Sequence, residues 1–222
     1  DTDTLRESSF TFNADLSATN NVVVKPAPGR DVVLFVTAGP TQGNGIQMIG
    51  FNKGYVTFDG SNNGTDSRNL IVSTEEDAVA VPFGLNTANA DTVVLKNLMI
   101  KNIVDVTLNF RYGAVINDVG GVYGFHVENC QIGTSEKPVR RDGLAPWGGG
   151  ATPNSFTFLN NEINAGVRGV ATIYLIDSEI RGNTINLIPT GLTGGTDTYN
   201  HGIYITGAQG VLNINENVIN CL

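Results

Sequence analysis

Across 222 residues, 21 Asp and Glu outnumber 13 Lys and Arg, giving a formal net charge of -8, and only 15% of residues are charged. Nucleic acid and anionic membrane surfaces are bound through basic stripes, which this chain lacks, so both are disfavoured as partners; no apolar run approaches the ~20 residues of a membrane span. The 27 Gly and many Asn, Thr, Val and Ile, with no sustained 3.6-residue period, indicate an all-β chain.

Residues 1–20 are polar, with one alternating patch at Phe10 and Phe12. They are expected to cap the first open strand edge, or else to form a linker, with the body of the fold spanning 21–222. NNVVVKPAPGRDVVLFV follows as two strands around a Pro26 to Gly29 turn. GIQMIGFNKGYVTFDGSNNGTDSRNLIV adds further short strands. Within it Asp59, Ser61, Asn63 and Gly64 match the opening of an EF-hand loop, but Leu70 stands where the bidentate Glu belongs and no helix flanks it. A tight turn between strands is the simpler reading; a cation held by Asp59 and Asp66 in another geometry is the alternative.

From Thr92 onward one phrase recurs: apolar residues at positions one and three, Asn or Asp at five, a branched apolar residue at eight. Its copies are Val93, Leu95, Asn97, Ile100; Phe125, Val127, Asn129, Ile132; Phe156, Phe158, Asn160, Ile163; Ile173, Leu175, Asp177, Ile180; and Leu212, Ile214, Ile219, with Glu216 beside Asn217. Each reads as strand, corner, strand, and either Asn160 or Asn161 could be the corner of its copy. Such a unit has an apolar face and no internal partner for it, so it is stable only when stacked on further copies. The expected fold is therefore a parallel β-helix of about eight coils at ~4.8 Å per coil. Cys130 and Cys221 would lie about four coils apart, beyond disulfide reach, and are expected to be free thiols. His126 alternates against Phe125 and Val127 and should face solvent.

Two stretches break the phrase. The first, 133–153, holds Arg140, Arg141, Asp142 and the sole tryptophan, Trp147. The second, 189–201, leads into Asn200-His201-Gly202-Ile203. Lateral loops of a solenoid are where recognition residues are usually placed. Indole faces stack on sugar rings and Arg pairs with carboxylates, so Trp147, Arg140, Arg141, Asp142 and His201 are the candidate glycan contacts. No metal-ligand cluster and no cofactor motif is apparent. The apolar C-terminal phrase NINENVINCL is expected to be covered by a continuation of the chain or by a second subunit.

The combination of VVVKPAPGRDV, YVTFDGSNNGTDSRNLIV, and phrases such as FHVENCQI and IRGNTI resembles the right-handed parallel β-helix repeats of large secreted or surface proteins of Bacteroidetes-type bacteria. The resemblance spans most of Asn21 to Asn220 and implies an extracellular location and a long parent chain, without a catalytic set. Asp3-Thr4-Leu5 and Asp91-Thr92-Val93 are similar to O-glycosylation acceptor triplets of such proteins, but polar residues before a strand are the preferred reading. His201-Gly202-Ile203 is similar to a short element of polygalacturonase-type hydrolases, but the paired aspartates those enzymes need do not occur here. The expected role is a structural, adhesive stalk or display module contacting polysaccharide or cell-surface glycan through lateral loops. A β-helix lyase or glycoside hydrolase is one alternative, a filament subunit with end-to-end self-association another.

Overall fold

The computed structural model describes residues 2–37, 41–42, 45–74, 80–102, 112–116, 120–146, 152–189 and 200–222. They form strands and no helix. The first coil is β1 (Thr2–Glu7), β2 (Phe10–Phe12) and β3 (Val22–Val24). The second is β4 (Asp31–Val36), the short β5 (Thr41–Gln42), β6 (Gly45–Phe51) and β7 (Val56–Asp59). The third is β8 (Leu70–Ser73), β9 (Ala80–Leu85) and β10 (Val94–Lys96); the fourth β11 (Leu98–Ile100), β12 (Tyr112–Ile116) and β13 (Tyr123–Glu128). The fifth is β14 (Gln131–Ile132), β15 (Asp142–Ala145) and β16 (Ser155–Leu159); the sixth β17 (Glu162–Ala165), β18 (Arg168–Ile173) and β19 (Ile176–Arg181). The seventh is β20 (Thr184–Leu187), β21 (His201–Thr206) and β22 (Gln209–Asn215), and β23 (Val218–Cys221) opens an eighth.

Corresponding strands stack in parallel. Sheet 1 runs β1-β4-β8-β11-β14-β17-β20-β23, sheet 2 β2-β6-β9-β12-β15-β18-β21, and sheet 3 β3-β7-β10-β13-β16-β19-β22. Among the described strands only β5, which returns antiparallel onto β6, leaves this plan. The expected parallel β-helix is thus the observed fold. Its coil length ranges from 22 residues between paired Glu162 and Thr184 to 39 between Phe10 and Ile49.

Within residues 1–20, β1 and β2 pair with β4 and β6. Leu5 stacks on Leu34, and Phe12 lies 5.5 Å from Phe51 with rings 7° from parallel, so a polar segment supplies enough inward side chains for a coil. The 133–153 stretch is two loops rather than one, because β15 lies inside it with Leu144 in the core. A strand of four residues between Arg141 and Pro146 carries too little alternation to stand out.

The core is built by vertical repetition. Ile100, Ile132, Ile163, Ile185 and Ile219 are paired down sheet 1. Opposite them sheet 2 offers Gly113, Gly143, Gly169 and Gly202. A Cβ on Gly143 would collide with Ile163 Cγ2 and stand 2.7 Å from Gly169 O, so the corner between sheets 1 and 2 closes only because this column lacks side chains. Phe51, Phe58 and Phe83 fill the early coils, and Phe125, Phe156 and Phe158 the later ones.

The corner from sheet 3 to sheet 1 uses two residues in turn. The first takes a left-handed conformation: Asn97 (φ 57°), Asn129 (φ 48°), Asn160 (φ 54°), Gly182 (φ 67°) and Glu216 (φ 56°). Asn and Gly bear this at least cost. The second points inward, and Cys130, Asn161, Asn183 and Asn217 form a ladder. The backbone N–H of Cys130 donates to Asn161 Oδ1 (2.9 Å), that of Asn161 to Asn183 Oδ1 (3.0 Å), and that of Asn183 to Asn217 Oδ1 (3.0 Å). Each amide nitrogen donates back to a strand carbonyl, Val127, Phe158 or Ile180. Asn160 and Asn161 are therefore both corner residues, with different tasks.

Candidate functional site

Chain length between strands varies unequally around the column. From the fourth coil on, the sheet 3 to sheet 1 corner never exceeds two residues. Over the same coils the sheet 1 to sheet 2 corner carries 101–111, 133–141 and 188–200 besides the short 166–167, and the sheet 2 to sheet 3 corner carries 117–122 and 146–154 besides the short 174–175 and 207–208. From the fourth coil on the long connections thus border sheet 2 on both sides, whereas in the first coils the sheet 3 to sheet 1 corner itself carries 25–30 and 60–69. Loops beside a rigid scaffold are where recognition concentrates, which makes this side the candidate site.

On sheet 2 the residue before each column glycine faces away from the main core. These residues are Tyr112, Asp142, Arg168 and His201, paired one above the next. Asp142 is fully buried, and Arg168 grips it with both arms: Nε to Oδ1 at 2.8 Å and Nη2 to Oδ2 at 2.8 Å. Arg141 Nε stands 3.6 Å from the same carboxylate. The Arg168 guanidinium lies 5.5 Å from the Tyr204 ring centre, and the His201 and Tyr204 rings are 5.2 Å apart. Tyr112, Val81, Ala145 and Ala171 make a small apolar cluster on this outer face.

Of the residues expected to contact a ligand, Arg141, Asp142 and His201 come together here. His201 is half-buried and belongs to strand β21 rather than to a loop. Arg140 is half-buried just ahead of β15. Trp147 lies outside the described residues, as does Asp197. Asp142 is fully buried and held by Arg168. Arg168, Tyr112 and Tyr204 are additions that sequence reasoning missed. The signal for two of them was the recurring triplet of an outward residue, Gly and an apolar residue, in Tyr112-Gly113-Ala114, Asp142-Gly143-Leu144, Arg168-Gly169-Val170 and His201-Gly202-Ile203.

Other polar groups are committed to the frame. Burial alone would raise the Asp59 pKa. Hydrogen bonds from Asn97 Nδ2 (2.8 Å) and Ser61 N (3.1 Å), with Lys96 at 3.1 Å, outweigh that and hold it below the ordinary carboxylate value. The Asp66 carbonyl accepts from Asn129 Nδ2, and Asn63 Oδ1 accepts from Thr65 and Ser67, so the 60–69 loop is a self-bonded turn. Arg68 reaches from it to Asn129, donating to the carbonyl at 2.7 Å and to Oδ1 at 2.9 Å. His126 is part-exposed on sheet 3 and sits 3.1 Å from Glu128. Cys130 is buried, and desolvation pushes its thiol up to about 12; Cys221 is exposed, three strands away in sheet 1 rather than four, and both are free. A cavity of about 770 Å³ at the first coil, lined by Leu5, Phe10, Val24 and Leu34, is the interior of the column open at that end.

Comparison with protein-family models, with curated proteins and with solved structures finds no match to this chain.

Proposed function

We propose that the chain is a rigid β-helical display module of an extracellular protein, and that the side of sheet 2, with the two loop-bearing corners beside it, contacts a glycan. The observation that carries this reading is that, from the fourth coil on, every connection longer than two residues borders sheet 2, while the sheet 3 to sheet 1 corner stays at one or two residues. Tyr204, His201 and Arg141 supply ring faces and hydrogen-bond donors on that side. A hydrolase reading would need two carboxylates placed for proton transfer, and Asp142 is neutralised by Arg168. The test is affinity electrophoresis of the protein through gels holding neutral or acidic polysaccharides, with parallel analysis for new reducing ends. Retardation by at least one polysaccharide without chain cleavage is expected; free migration through every gel would sink the reading.

A further inference from the structure

The sheet 2 to sheet 3 corner places residues in the left-handed region at avoidable cost. Tyr55 (φ 58°) and Tyr174 (φ 52°) occupy a conformation that bulky side chains rarely adopt, while the opposite corner assigns it to Asn or Gly in most coils. A third tyrosine, Tyr123, opens β13 on the same corner and is 47% exposed. The three belong to the second, fourth and sixth coils, so successive rings are separated along the axis by two coils, roughly 9.6 Å at ~4.8 Å per strand. That spacing is on the scale of two rings of an extended polysaccharide. Tyr174 is backed by the next coil, its Cδ1 and Cε1 lying 2.9 and 3.1 Å from where a Cβ on Gly207 would stand. The absent side chain there leaves room for the ring.

The groups beside the rings indicate the chemistry of the occupant. Asp91 Oδ1 accepts from Tyr123 N at 2.7 Å, and exposed Asp177 Oδ1 accepts from Val211 N at 3.2 Å, leaving each carboxylate with a second oxygen to offer. Carboxylates accept hydrogen bonds and repel anions. Sugar hydroxyls donate to them, uronates are disfavoured, and a proline-rich peptide, which offers carbonyls where it lacks N–H, gains nothing from them. We infer that Tyr55, Tyr123 and Tyr174 form a contact row for a neutral polysaccharide lying parallel to the solenoid axis. This rests on the glycan reading and specifies both the surface and the ligand class.

The experiment measures, on the full chain, affinity for soluble neutral glucan and mannan, for polygalacturonate and for a proline-rich peptide, together with urea unfolding midpoints. The variants are Tyr123→Ala, Tyr55→Asn and Tyr174→Asn. Each is expected to weaken neutral-polysaccharide binding roughly three- to tenfold, while Tyr55→Asn and Tyr174→Asn hold or raise the unfolding midpoint, a combination that a merely structural tyrosine would not give. Binding of neutral polysaccharide that all three variants retain at full strength overturns the row but leaves the display reading standing. Binding of polygalacturonate alone overturns the ligand class. Binding of no polysaccharide, or of the peptide alone, overturns both readings.

Discussion

The corner joining sheet 3 to sheet 1 and the corner joining sheet 2 to sheet 3 perform the same turn with different materials. At the first, from the fourth coil on, one or two residues suffice, amides bond to amides up the stack, and the left-handed positions go mostly to Asn and Gly. At the second, Tyr55, Thr92 and Tyr174 take left-handed positions, and connections of up to nine residues join the strands. A bulky residue in a left-handed position costs stability where Asn or Gly costs little, so the two corners differ in how much backbone strain they carry.

The largest expected effect comes from the row between the loop-bearing corners. Arg168→Ala leaves the fully buried Asp142 carboxylate without its bidentate partner and should cost about 3–5 kcal/mol in urea unfolding. A loss below about 1 kcal/mol would mean the pair is not sealed. Next is Gly143→Ala, whose Cβ meets Ile163 and Gly169 O; a destabilisation of about 1–3 kcal/mol is expected, with less at a position outside the column. Asn183→Ala removes the acceptor for Asn161 N and Nδ2 and should cost about 1–3 kcal/mol. Tyr55→Asn goes the other way, with a gain of up to about 1 kcal/mol. If Asn183→Ala were harmless and Tyr55→Asn damaging, the contrast between the corners would be reversed.

The smallest effects follow from titration. Cys130 is held above its ordinary value of 9.0, toward about 12, so native protein at pH 8 should release one thiol, Cys221, to a thiol reagent, and two after unfolding. Because the raised value belongs to the folded state, the associated stability is intact below pH 9 and is lost as pH climbs toward 12. Asp59 has the opposite sign. Its lowered value contributes stability above pH 3.8 that is lost on further acidification, and Asp59→Asn should flatten that acid limb.

Much of the column was legible in the sequence because its strands alternate, and Phe125, Val127 and Ile132 announce their inward positions directly. The tight corner was legible for a related reason, since Asn recurs there, although two adjacent positions with different roles looked like one ambiguous position at Asn160 and Asn161. β15 and the first coil were not legible: Asp142–Ala145 is too short to show a period, and the outward residues of β1 are polar. The Asp142 and Arg168 pair depends on register, which brings together residues 26 apart only after the intervening coil is wound. Spacing alone does not disclose that. The tyrosine row depends on φ and on coil number, neither of which a strand pattern carries.

Hydrogen–deuterium exchange of the full chain, with and without saturating neutral polysaccharide, tests the division of labour most directly. Protection is expected at 52–55, 91–92, 120–124 and 174–175, with no change at 160–161, 182–183 and 216–217. Protection centred on the asparagine corner, with none beside the tyrosines, would contradict the account.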